Sequence, residues 1–131
     1  MPEPYILVVD DDPMILQLVT TQLEGAGFKV TTARDAWQEV VQAKGLPIGL
    51  VISDIMMSQE GTGVDAYNRI RSMPELSPKL PMIFMTGISL AKAKKLLPDD
   101  PYIRIISKPI NFEELQKLIR ELIGVDRPLE S

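Results

Sequence analysis

Short apolar runs alternate along this chain with segments whose apolar residues recur every three or four positions. Short apolar runs are typical of strands buried on both faces, and the longer spacing is typical of helices packed on a sheet. Five strand and helix pairs follow one another, which predicts an α/β domain with a five-stranded, doubly wound parallel sheet and five helices. The strands are expected at residues 5–9, 28–32, 48–53, 80–86 and 103–107.

The first two helices are predicted from their caps and apolar stripes. Asp12 is expected to cap the first helix, with Pro13 in the first turn, where a missing N–H costs nothing. The second helix is expected to face the sheet with Ala36, Val40 and Val41. The first helix is expected to face it with Ile15, Leu16, Val19 and Leu23, so both helices have a predicted inner face.

Three further helices complete the pattern. They are expected at residues 65–73, 90–97 and 111–124. The last is the best defined, because Asn111 and Glu114 resemble a capping box ahead of a continuous apolar face.

Length and charge narrow the class of protein. The 131 residues fit one domain, predicted at 1–125, with a C-terminal tail at 126–131. No apolar run approaches the roughly 20 residues of a membrane span, and no basic stretch followed by an apolar run marks a secretory signal, so the cytoplasm is the expected location. The net charge of -4 argues against direct binding to nucleic acid.

Polar residues stand where four of the predicted strands end. The carboxyl ends of parallel strands share one edge of a sheet, and open α/β sheets bind ligands at that edge. The sequence therefore predicts a site built from residues that are far apart in the chain. Its members are Asp10, Asp11 and Asp12 after the first strand, Asp54 after the third, Thr86 after the fourth and Lys108 after the fifth.

Four motifs in these places carry a resemblance to a known family. They are Ile-Leu-Val-Val-Asp-Asp-Asp-Pro at 6–13, Val-Ile-Ser-Asp-Ile-Met-Met at 51–57, Ile-Phe-Met-Thr-Gly at 83–87 and Ser-Lys-Pro at 107–109. Together they resemble the receiver domain of bacterial two-component response regulators, of the stand-alone chemotaxis type. The resemblance implies a flavodoxin-like fold with strand order 2-1-3-4-5.

With that strand order, Asp10, Asp11 and Asp54 crowd together and repel one another. A hard divalent cation relieves the repulsion, and Mg²⁺ suits carboxylate ligands. The resemblance implies that Asp11 and Asp54 bind Mg²⁺ directly, together with the main-chain carbonyl of Met56. It implies that Asp10 acts mainly through a metal-bound water.

The resemblance also implies a covalent step at Asp54. A carboxylate can accept a phosphoryl group as an aspartyl phosphate, and such a transfer depends on positioning and charge stabilisation. Lys108 would supply a counter-charge, Thr86 a hydrogen bond, and Gly87 room for the phosphoryl group and its donor. A cis Lys108–Pro109 bond would turn the lysine toward Asp54.

The phosphoryl donor is expected to be another protein, because the chain contains no histidine. A sensor histidine kinase or a histidine-containing phosphotransfer protein is the implied donor, and a protein of unknown identity is the implied target. Beyond its own phosphorylation and slow dephosphorylation, no enzyme activity is expected.

The chain departs from the usual receiver pattern at several positions. Ser58 stands where proline is usual, and the loop at 58–63 is one residue longer than is common. Ile105 occupies the position of a switch aromatic, which leaves the activation switch unassigned. The resemblance implies that Met56 and Ile88 flank the approach of the hydrolytic water, and since neither side chain can orient water, it predicts a long-lived phosphorylated form.

Two alternative functions are considered. A haloacid-dehalogenase-type phosphatase would use Asp10 as nucleophile, but it would place Thr or Val where Met14 stands and would leave Asp54 unexplained. The phosphatase would draw its other groups from Asp12, Thr86, Lys108, Asp99 and Asp100.

The second alternative is a receiver that acts as a phosphorylation-independent binding module. Such a module would not need the intact set of acidic, hydroxyl and lysine residues.

Overall fold

The computed structural model, which describes residues 3–56, 63–74 and 76–129, contains one five-stranded parallel sheet with helices on both faces. The strand order is β2-β1-β3-β4-β5, so the predicted flavodoxin-like fold is confirmed. The strands are β1 (Tyr5–Val9), β2 (Val30–Ala33), β3 (Ile48–Asp54), β4 (Met82–Thr86) and β5 (Ile103–Ser107). The helices are α1 (Pro13–Gly25), α2 (Ala36–Gly45), α3 (Gly63–Ser72), α4 (Leu90–Leu96) and α5 (Phe112–Ile123).

The register of the sheet brings the carboxyl ends of its central strands level. Val9 at the end of β1 pairs with Ser53 of β3, and Asp54 pairs with Met85 of β4. Thr86 at the end of β4 pairs with Ser107 at the end of β5. The residues that follow these strands therefore emerge along one edge of the sheet.

Two apolar layers form the core, one on each face of the sheet. Successive strand residues point to opposite faces, so Leu7 and Val51 belong to one layer and Val8 and Ile52 to the other. The first layer includes buried residues of α2, α3 and α4, and the second includes those of α1 and α5. Among the described residues, no helix combines the length and apolar character needed to cross a bilayer.

Several element boundaries differ from the prediction by a few residues. The second strand starts at Val30, because the N–H of Phe28 bonds to the Leu23 carbonyl and so belongs to the end of α1. The fourth strand starts at Met82, because the N–H of Leu80 closes a turn on Ser77. These apolar residues are buried in turns, which an apolar run alone does not distinguish from strand.

The second helix presents a different face to the core than predicted. Val41 is 49% exposed, so its assignment to the inner stripe is wrong. Among the described side chains of this helix, the buried ones are Ala36, Glu39, Val40 and Ala43, which follow the i, i+3, i+4, i+7 spacing of one helix face. The carboxyl group of Glu39 therefore lies on the helix face that packs against an apolar layer of the core.

The end of the described chain packs against the domain. Leu129 is buried in the layer formed with α1 and α5. The side-chain amide of Gln116 on α5 accepts from the Leu129 N–H and donates to Asp126. Arg127 donates to the Gly27 carbonyl after α1. The tail predicted at 126–131 therefore lies, as far as residue 129, on the α1 and α5 side of the sheet.

Candidate functional site

Three carboxylates meet at the carboxyl edge of the sheet. Asp10 and Asp11 follow β1, and Asp54 ends the neighbouring strand β3. One oxygen from each of the three lies within 4.8 Å of the others. Asp10 and Asp54 are buried, while Asp11 is partly exposed. The three side chains form a strongly acidic pocket.

Lys108 reaches this pocket from the loop after β5. Its Nζ lies 2.7 Å from Asp10 Oδ2 and 3.2 Å from Asp54 Oδ2. The Lys108 N–H donates to the Thr86 carbonyl, and the Lys108–Pro109 bond is cis, as the resemblance implied. Burial alone lowers the pKa of Lys108, but the hydrogen bond to Asp10 and the charges of both carboxylates raise it overall. The side chain is therefore a cation at neutral pH.

Both oxygens of Asp54 have fixed partners. Oδ1 accepts from the Met56 N–H at 3.1 Å, and Oδ2 faces Lys108. Burial raises the pKa of Asp54, with a further increase from the charge of Asp10, and the charge of Lys108 opposes both. Asp10 is oriented in turn, because its Oδ1 accepts from the Asp12 N–H at 2.9 Å.

Thr86 and Gly87 lie at the end of the next strand, β4. Thr86 is buried, and its Oγ1 accepts from the Ile88 N–H at 3.0 Å. That bond uses a lone pair, so the hydroxyl hydrogen can still be donated toward the pocket. A Cβ added at Gly87 would meet no atom of the described residues within 4 Å, so no described side chain fills the space beside this residue.

The residues predicted from the sequence thus gather at one edge of the sheet. Asp10, Asp11 and Asp54 lie close together, Lys108 contacts Asp10 and Asp54, and Thr86 ends the strand next to Asp54. Met56 lies two residues after Asp54 in the chain, and its side chain is exposed. Most of the predicted loop at 58–63 lies outside the described residues.

The arrangement required by the phosphatase alternative is not formed. Asp100 precedes β5, at the opposite edge of the sheet, where it accepts from Tyr67 and Arg71. These bonds and the Tyr102 N–H lower the pKa of Asp100, although burial acts in the opposite direction. Asp12, the other required acid, accepts from the N–H of Met14 as the cap of α1.

One buried polar pair next to the pocket was missed from the sequence. Glu39 on α2 and Ser53 on β3 are buried, and a hydrogen bond of 2.8 Å joins Ser53 Oγ and Glu39 Oε1. The available signal was the spacing of Glu39 from Ala36 and Ala43, which places it on the inner face of the helix.

Comparison with known proteins agrees with the fold and the pocket. The family model of the response regulator receiver domain matches residues 6–120. The chain belongs to this family, the phosphoacceptor module of two-component signalling systems. Receiver domains are signalling modules.

Three similar proteins illustrate the range of the family. The C4-dicarboxylate transport transcriptional regulatory protein DctD of Pseudomonas aeruginosa is 40% identical over 127 residues, which are 95% of this chain and 26% of that protein. The chemotaxis protein CheY4 of Vibrio cholerae has a TM-score of 0.83 at 25% identity, over 93% of this chain and 100% of that one. The receiver domain of a Pseudomonas aeruginosa sensor histidine kinase has a TM-score of 0.80 at 23% identity, over 95% and 100%, and holds a magnesium ion in its active-site cleft.

The curated relatives are much longer than the match. The chain spans about a quarter of DctD, and it spans 49% of the probable transcriptional regulatory protein TcrX of Mycobacterium tuberculosis. It spans 12% of the sensor histidine kinase RcsC of Escherichia coli. The same module therefore occurs in proteins with different additional parts.

Proposed function

We propose that this receiver accepts a phosphoryl group on Asp54 in a reaction that depends on Mg²⁺. The observation that carries the proposal is the position of Asp54, which lies in a three-carboxylate pocket with Oδ2 3.2 Å from Lys108 Nζ. The phosphorylated domain then passes on the signal through protein contacts or by transferring the phosphoryl group to another protein.

The donor set of the pocket fits Mg²⁺. Three carboxylates carry three negative charges and Lys108 carries one positive charge, so the pocket favours a further cation. We assign direct coordination to Asp11, Asp54 and the Met56 carbonyl, and coordination through water to Asp10. Mg²⁺ bound here would neutralise charge on the phosphoryl oxygens.

The transfer itself needs little covalent chemistry from the protein. A carboxylate oxygen of Asp54 forms the new P–O bond while the P–N bond of a donor phosphohistidine breaks, and the electron pair of that bond stays on the imidazole. Lys108 and the Thr86 hydroxyl stabilise the charge on the transferred group. Gly87 has no side chain to obstruct the approach, and a Cβ built there would meet none of the described residues within 4 Å.

The donor must come from another protein, because the chain contains no histidine. We propose a sensor histidine kinase or a histidine-containing phosphotransfer protein as donor, and an unidentified protein as target. The net charge of -4 favours protein contacts over direct contact with nucleic acid or a membrane. We place the domain in the cytoplasm and assign it no activity on other substrates.

Intact-mass measurement after incubation with acetyl phosphate and Mg²⁺ tests the proposal. Wild-type protein should gain one phosphoryl group, and Asp54→Asn should gain none. Asp12→Asn is the matched control, because asparagine also caps helices, and it should react as the wild type does. An adduct on Asp54→Asn, or none on the wild type, would refute the assignment.

Mg²⁺ binding should depend on Asp11 far more than on Asp12. The Asp12 carboxylate already accepts from the Met14 N–H, whereas Asp11 belongs to the pocket. Asp11→Asn should weaken Mg²⁺ binding by roughly tenfold or more, the equivalent of about 1.4 kcal/mol, and Asp12→Asn should leave it unchanged. Calorimetric titration of both variants measures this, and the reverse order would show that the acid pair is displaced by one residue.

The phosphorylated form should be long-lived, and polar substitutions near Asp54 should shorten its lifetime. Met56 and Ile88, which flank the assigned path of the water, have no group that can orient it. Met56→Asn or Ile88→Asn should speed dephosphorylation by about tenfold, at the low end of the effect of positioned proton acceptors. The decay of phosphorylated protein in excess Mg²⁺ gives the rates. A rapid wild-type decay that neither substitution alters would contradict the prediction.

A further inference from the structure

A buried polar pair lies next to Asp54 and has no part in the chemistry described above. Glu39 and Ser53 are both 0% exposed, in a core layer that is otherwise largely apolar. The Ser53 Oγ lies 2.8 Å from Glu39 Oε1 and 3.2 Å from the main-chain carbonyl oxygen of Asp54. Ser53 thus connects helix α2 to the backbone of the proposed phosphoacceptor.

The single hydroxyl hydrogen of Ser53 indicates which protonation state of Glu39 allows Ser53 to bond to both Glu39 and the Asp54 carbonyl. A serine hydroxyl has a single hydrogen, so it cannot donate fully to two oxygens. If Glu39 is a neutral acid, its O–H donates to Ser53 Oγ, and Ser53 then donates to the Asp54 carbonyl. Glu39 Oε2 is buried without a partner, which costs less for a neutral acid than for a carboxylate.

The environment of Glu39 agrees with a neutral side chain. Burial raises the pKa of Glu39 from 4.5 to about 8, and the hydrogen bond with Ser53 lowers it by a smaller amount. At neutral pH the acid form therefore predominates.

The Asp54 carbonyl is a point where the backbone is held from several sides. The N–H of the same peptide, contributed by Ile55, donates to the Met85 carbonyl at 3.0 Å. Helix α3 begins against this carbonyl, and any side chain at Gly63 would collide with it. A peptide fixed at both its N–H and its carbonyl sets the direction in which the Asp54 side chain leaves the backbone.

We propose that Glu39 is a positioning residue for the phosphoryl acceptor. As a neutral acid it orients the Ser53 hydroxyl onto the Asp54 carbonyl and so keeps the Asp54 carboxylate in place opposite Lys108. This inference rests on the proposed function of Asp54, and it adds to that function a contribution from the second helix.

Rates of adduct formation with acetyl phosphate in saturating Mg²⁺ test the role of Glu39. Glu39→Ala and Ser53→Ala should each slow the reaction by roughly fivefold, the order expected from one lost hydrogen bond. The double variant should be no slower than either single variant, because both interrupt the same connection. Glu39→Gln should keep the wild-type rate, since its amide can donate to Ser53.

A matched control separates positioning from general stability. Val40→Ala truncates the buried neighbour of Glu39 on the same helix and removes no atom of the hydrogen bonds at Ser53, so it should lower the melting temperature and leave the rate unchanged. The inference fails if Val40→Ala slows the reaction as much as Glu39→Ala, or if Ser53→Ala reacts as fast as the wild type. If Glu39→Ala does not fold, the comparison of Ser53→Ala with Glu39→Gln decides the question. A wild type that forms no adduct would instead refute the proposed function.

Discussion

Replacing Lys108 with methionine should slow phosphorylation of Asp54 by about 100-fold or more, the effect of removing one preorganised charge-stabilising group. Lys108 Nζ faces Asp54 Oδ2 at 3.2 Å, so it lies where negative charge develops on the transferred group. Formation of the phosphoryl adduct from acetyl phosphate in saturating Mg²⁺, followed by intact mass, gives the rate.

Two controls define what the Lys108 result means. Lys92→Met removes an exposed lysine of α4 and should have no effect on the rate. Lys108→Met also leaves the buried Asp10 without its ammonium partner, so the variant should lose stability. Its phosphorylation rate must therefore be measured under conditions in which the variant is folded. A rate within threefold of wild type in folded protein would show that Lys108 serves stability alone.

The sheet and the pocket were predictable because both follow from short-range patterns. Each strand is an apolar run, and parallel strands carry whatever follows them to a common edge. Asp54 and Thr86 could therefore be grouped from their positions after the third and fourth runs. The strand order required the resemblance, since the apolar runs do not state which strands are neighbours.

The inner face of the second helix was not predictable from apolar residues alone. Val40 and Val41 are both apolar, but they lie about 100° apart around a helix, so only one can face the sheet directly. The apolar pattern does not point to Glu39, because carboxyl groups are rarely buried without a partner. Its partner, Ser53, comes from a strand 14 residues away and is visible only in the fold.

Replacing Glu39 with glutamine should change the pH dependence of folding stability. The pKa of Glu39 rises from 4.5 to about 8 on folding, mainly through burial. Between these values the folded protein keeps a proton that the unfolded chain has lost, so increasing pH favours unfolding. The contribution of Glu39 to stability should fall by about 1.4 kcal/mol per pH unit across this window and level off above it. Glutamine does not titrate, so Glu39→Gln should lack this decrease.

Urea unfolding at a series of pH values from 5 to 9 measures the difference. The free energies of unfolding of wild type and Glu39→Gln should diverge as pH rises, with the variant gaining relative stability up to about pH 8. Asp54 and Lys108, whose pKa values are also raised, are present in both proteins, so their contributions cancel in the comparison. Glu24→Gln, an exposed site on α1, should follow the wild type throughout. Parallel curves for wild type and Glu39→Gln would mean that Glu39 is ionised in the folded protein. In that case the Ser53 hydroxyl donates to the Glu39 carboxylate, and the Asp54 carbonyl receives no hydrogen bond from Ser53.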